Sequence, residues 1–91
     1  MIEPRTHSRS KALKNACIVR RDLQLIIDCT LRNHSDEGAL IDLESGIVIP
    51  HEFELLVKAN KLIAPCRLVW RKNNKIGVRL KSEWREASAF V

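Results

Sequence analysis

Apolar residues recur at every second position in this chain, segment after segment, and that period constrains the fold more than any other feature. From Leu23 to Arg32, Leu23, Leu25, Ile27, Cys29 and Leu31 are apolar, while Gln24, Asp28, Thr30 and Arg32 are polar; Ile26 is the exception. A two-residue period puts one set of side chains on a buried face and the other in water, the mark of a half-buried strand. The alternation returns in Ala39, Ile41 and Leu43, in Phe53, Leu55 and Val57, in Cys66, Leu68 and Trp70, and in Ile76, Val78 and Leu80. Turn formers separate these runs. Asn33 to Gly38 is a turn cluster, Glu44-Ser45-Gly46 interrupts the pattern, and Pro50 ends the next apolar stretch. Residues 58–61 turn the chain again, and Lys72-Asn73-Asn74 reads as a tight hairpin connection. A chain of 91 residues makes one small domain with a thin core. Six or so short antiparallel strands in that length suggest a closed or nearly closed β-barrel.

The two ends read differently. Residues 1–12 carry Pro4, Ser8, Ser10 and charged groups with almost nothing apolar, so a flexible N-terminal arm is expected, followed by a barrel over 13–81. Over 82–91 the expectation is a short helix. Ser82 suits its cap, Glu83 its first turn, and Trp84, Ala87 and Val91 form an apolar stripe. Trp84 and Phe90 would dock it. The expected fold class is therefore all-β, a six-stranded antiparallel barrel with a C-terminal helix.

Charge is distributed as unevenly as hydropathy. The chain holds 16 Lys and Arg against 11 Asp and Glu, a formal net charge of +5. Residues 1–21 contain six basic residues and one acidic, 22–61 three and eight, and 62–81 six and none. Two local anion-facing regions with an acidic stretch between them fit a compact anion better than a long polyanion. A nucleic-acid-binding barrel is the competing reading. Single-strand binders need several aromatic stacking platforms, whereas this chain has two Trp, two Phe and no Tyr. Nucleic acid is therefore not the expected partner.

Other classes are disfavoured on chemical grounds. His7, His34 and His51 lie in the arm and turns without a Ser or Cys partner at recognisable spacing, so no catalytic residues and no enzyme are expected. Cys17, Cys29 and Cys66 form no C-x-x-C pair and no Cys/His ladder. Neither a metal site nor a disulfide framework is indicated, and reduced, partly buried thiols in a cytoplasmic protein are expected. No apolar run approaches the ~20 residues of a spanning helix, so membrane insertion is not expected.

Two short motifs remain. Arg5-x-x-x-Arg9 lies in the arm, and Asn33-x-Ser35-x-x-Gly38 closes the long strand. Each alone is common, and the second could be a plain β-turn. In this combination the chain resembles the PilZ domain family, bacterial receptors for cyclic di-GMP. Ile27-Asp28-Cys29-Thr30 before the second motif and Gly38-Ala39 after it are similar to alphaproteobacterial members, and Pro65 to Leu80 resembles the family's closing hairpin. The resemblance spans roughly residues 3–82.

It implies a six-stranded barrel with a C-terminal helix, no cofactor, and a cyclic di-GMP site formed by Arg5, Arg9, Asn33, Ser35 and Gly38. The residue types suit that ligand. Arginine presents a planar donor fork to phosphate or to the guanine edge. Asn33 and Ser35 offer short polar groups, and Gly38 removes a Cβ where backbone or ligand must come close. Trp70 and Arg71 are further candidates, although alternation with Cys66 and Leu68 puts Trp70 on an inward face and favours a core role. His34 stands where the family usually has an apolar residue, and it could contact the ligand or weaken the turn. Pro4 replaces an arginine frequent before the first motif, which leaves one or two bound ligands open. With no effector domain attached, signalling would pass to an unidentified partner protein. A degenerate member serving only as a protein-interaction module is the alternative.

Overall fold

In the computed structural model, which describes residues 13–87, the alternating segments become strands. They are β1 (Lys14–Arg20), β2 (Leu25–His34), β3 (Gly38–Asp42), β4 (Glu52–Val57), β5 (Leu62–Lys72), β6 (Lys75–Leu80) and β7 (Arg85–Glu86), with a single 3-10 turn, Arg21–Leu23, between β1 and β2. The sheet order is β4-β1-β2-β3-β6-β5, and a further pairing of β4 with β5 closes the ring. All the pairings are antiparallel. This is the six-stranded barrel expected from the alternation. Closure leaves no strand edge within the ring, which suits a domain too small to cover an open sheet.

The inward positions are those the alternation names. Leu31, Ile41, Leu55, Cys66 and Ile76 have no exposed surface, and Leu43, Phe53, Val57 and Val78 are buried with them. From β1, Ala16 and Ile18 join this cluster. Cys17 and Val19 point the other way along the same strand yet are also buried, as is Ile63 on β5. β1 from Ala16 to Val19 and the start of β5 at Ile63 are thus covered on both faces.

The expected helix from Ser82 does not form among the described residues. Lys81 N–H donates to Pro65 O at 2.8 Å, Ser82–Trp84 loop outward, and Arg85–Glu86 then pair with Ile63 and Leu62. Ala87 N–H finishes the run on Lys61 O at 2.8 Å. The first residues of β5 extend beyond β6 and offer unpaired backbone groups, and satisfying them outweighs weak local helix preference. Trp84 is half-buried against the core. The arm over 1–12 and the positions Phe90 and Val91 lie outside the described residues.

Candidate functional site

Two β-bulges shape one outer wall of the barrel. In β2, Leu31 pairs with Ile41, but the next pair is Asn33 with Leu40, so Arg32 is an extra residue. In β5, Leu68 pairs with Val78 and Trp70 with Gly77, so Val69 is extra. Each insertion shifts the later residues of its strand to the opposite face. Asn33 and Trp70, inward by strict alternation, are turned outward. Because Leu40 also pairs with Gly77, they become the two ends of one cross-strand row: Asn33, Leu40, Gly77 and Trp70. The next outward row holds Gly38, Arg79 and Arg67.

Trp70 is therefore corrected from the core reading. It is 45% exposed, and its indole lies across Gly77. A Cβ at Gly77 would sit 2.2 Å from Trp70 Nε1, so only glycine lets the ring lie flat on β6. Val69, the bulged residue, is 58% exposed beside it.

Between these ends lies an open cleft of about 430 Å3, walled by Asn33, Ser35 and Gly38 on one side and Trp70 and Arg79 on the other. His34 also borders it. Four of the residues expected from sequence, with Trp70, are thus brought to one place. The turn that presents them is held from within. Ser35 N–H donates to Gly38 O at 2.9 Å, and Glu37 N–H donates to Ser35 Oγ at 3.1 Å. The serine hydroxyl therefore accepts within the turn and keeps its O–H for something outside it. Gly38 is needed by the backbone: a Cβ there would lie 2.4 Å from Val78 O. Its lack of a side chain lets β3 approach β6 at the point where the motif turn joins the sheet.

A second brace comes from the C-terminal segment. Trp84 Nε1–H donates to Ser35 O at 3.2 Å, and its ring meets His34 edge-on, centroids 5.4 Å apart at 66°. Burial pushes the His34 imidazole below its ordinary pKa of 6.5; Lys14 adds to this and Asp36 opposes it. His34 is packed into the support of the turn as well as bordering the cleft.

Arg71 goes elsewhere. Its guanidinium donates to Ile47 O and, at 3.4 Å, to Glu44 O, tying the β3–β4 loop to β5. It is not among the cleft-lining residues. Arg5 and Arg9 lie outside the described residues. Sequence reasoning passed over Arg79, which looked like one more wet position on the last strand. The signal available was its place two residues beyond Gly77, on the same face.

The thiols stand apart from this chemistry. Cys17, Cys29 and Cys66 are unpaired; burial raises all three pKa values, those of Cys29 and Cys66 to about 12. At neutral pH they are thiols, not nucleophilic thiolates. No helix among the described residues is long and apolar enough to cross a membrane.

The fold is a closed antiparallel barrel with an exposed indole and a braced polar turn on one outer wall. The family model for the PilZ domain matches residues 3–88, and the chain belongs to the PilZ domain family. PilZ domains are binding and adaptor modules, not enzymes, and the family is one of cyclic di-GMP receptors. No curated protein matched the sequence.

Proposed function

We propose that this protein is a cyclic di-GMP receptor that binds its ligand in the cleft between the Asn33–Gly38 turn and Trp70, closed over by Arg5 and Arg9. The observation that carries the reading is the pair of bulges, which aim Asn33 and Trp70 outward at opposite ends of one row. Cyclic di-GMP offers two guanine faces and two phosphates. The exposed indole is a stacking platform for a base. The Asn33 amide and the Ser35 O–H suit a guanine edge or a phosphate oxygen, and the forks of Arg5 and Arg9 suit either from the other side. Asn33, Ser35 and Trp70 sit on a wall already braced by hydrogen bonds, so little ordering cost falls on them. The arm would order on binding, and arm, ligand and barrel together would offer a partner protein a new surface in the cytoplasm.

Calorimetry tests this directly. Wild-type protein should titrate with cyclic di-GMP, and absence of heat at tens of micromolar ligand would overturn the proposal. Arg9→Ala should remove detectable binding with little change in the thermal melt, because among the described residues the buried core begins only at Ala16. Trp70→Ala should weaken binding by about 1–3 kcal/mol, the usual worth of a base–aromatic stack.

A further inference from the structure

Among the described residues that line the cleft, Arg79 is the one lysine or arginine. It projects outward from β6 with Gly38 across from it on one side and Arg67 on the other. Gly38 has no side chain to screen it from the motif turn. Arg67 is a like charge, and like charges directly opposite across strands destabilise a sheet. Arg67 is relieved by Glu52, whose carboxylate lies 3.3 Å from its guanidinium. The Arg79 side chain is exposed and has no hydrogen bond or ion pair among the described residues. Glu37, the carboxylate that borders the cleft, makes no ion pair with it either. Its guanidinium therefore borders the cleft without a partner among the described residues.

We propose that Arg79 is a further ligand-holding residue, one that contacts a phosphate of the cyclic dinucleotide from the barrel side. The inference rests on the proposed cyclic di-GMP site and adds to it a residue outside both motifs. Geometry favours phosphate over base. Alternate residues on one strand face lie ~7 Å apart, so a base against the Trp70–Gly77 row places its own phosphate near the row of Gly38 and Arg79. An anion there also offsets the repulsion between Arg79 and Arg67.

The test is calorimetry with cyclic di-GMP on the full chain at low and high salt, using wild type, Arg79→Ala, Arg79→Lys and Lys58→Ala. Lys58 pairs with Asp28 on another part of the surface, so its variant reports the loss of one positive charge far from the cleft. Arg79→Ala is expected to weaken binding about 10- to 100-fold, the worth of one charge-assisted hydrogen-bonded contact. Arg79→Lys should recover part of that loss, and the gap between wild type and Arg79→Ala should narrow at high salt. Lys58→Ala should stay within about twofold of wild type, since exposed distant charges are screened. Equal losses in Arg79→Ala and Lys58→Ala would overturn the proposal, as would an Arg79→Ala affinity unchanged from wild type. A lysine variant as weak as the alanine one would overturn the phosphate assignment. A wild-type protein that does not bind overturns the receptor reading itself, and that is decided before any variant is compared.

Discussion

The wall of β1, β4 and early β5 and the cleft side of the wall of β2, β3, β6 and late β5 belong to one barrel but use their outer faces differently. On the first, charges meet partners. Arg20 reaches Asp22 at 2.8 Å, Lys58 reaches Asp28 at 3.3 Å, Arg85 reaches Glu54 at 3.3 Å, and Glu52 sits between Arg67 and Lys81 at 3.3 and 2.8 Å. Apolar groups there are covered as well, since Cys17, Val19 and Ile63 are buried although they lie outside the main core. On the second wall Arg32 and Lys75 share Asp42, at 2.6 and 3.3 Å, but around the cleft Trp70 and Val69 are left in water and the Arg79 side chain has no partner among the described residues. That unsatisfied chemistry is what the proposed site would use.

The bulges belong only to the second wall, and its two glycines let that difference be broken in a controlled way. Gly38→Ala drives a Cβ to 2.4 Å from the backbone carbonyl of Val78. Strands β3 and β6 must move apart, and a loss of about 1–3 kcal/mol of stability is expected from such overpacking. Gly77→Ala meets the Trp70 ring instead, and the ring can swing away, so the cost should be about 1 kcal/mol or less. Both should weaken cyclic di-GMP binding, but only Gly38→Ala should do so by loosening the barrel. Denaturant melts beside titrations separate the two. Equal destabilisation by both would mean that Trp70 is fixed by more than its seat on Gly77.

A gentler perturbation makes the first wall resemble the second. Glu52 is held below the usual carboxylate range by the Lys81 ammonium first and by Arg67. Glu52→Gln frees the Arg67 guanidinium opposite Arg79. Because exposed ion pairs contribute little, the thermal melt should fall only slightly. Affinity for cyclic di-GMP should rise, by at most ~threefold for one more screened charge. A fall in affinity would show that Arg67 must stay tied back for the cleft to work.

Much of this division was legible in the residues, and the parts that were not share a cause. Period-two runs located the strands from β2 to β6 because each has one wet face. β1 was hidden, because Ala16 to Val19 are buried on both faces and show no alternation. The motif turn could be placed from Asn33, Ser35 and Gly38. Trp70 could not, since Cys66, Leu68 and Trp70 alternate without a break and the extra residue at Val69 exists only in the pairing with β6. Ser82 to Ala87 misled for a similar reason: local helix signals say nothing of the open backbone at Leu62 and Ile63 that claims Arg85 and Glu86. Pattern reads each strand by itself; register is a property of two.

The smallest effect expected concerns pH, and it too should arise on the cleft side. Burial against Trp84, with Lys14 nearby, holds the folded pKa of His34 below 6.5, against a partial offset from Asp36. Above that value the residue is neutral whether the chain is folded or not. As pH falls below 6.5 the unfolded chain takes up a proton that the folded one resists, so stability declines until the folded pKa is passed. Carboxylates of the paired wall respond later. Asp22 and Glu52 are held below their ordinary values by hydrogen bonds from Arg20 and Lys81, so they give up their stabilisation only at more acidic pH. Asp42, pushed up by burial but pulled down further by Arg32 and Lys75, behaves likewise. Melts between pH 7 and pH 5.5 should therefore show a modest decline that His34→Leu removes. A decline of the same slope in His34→Leu would assign it to another group and would leave the His34–Trp84 contact as packing alone.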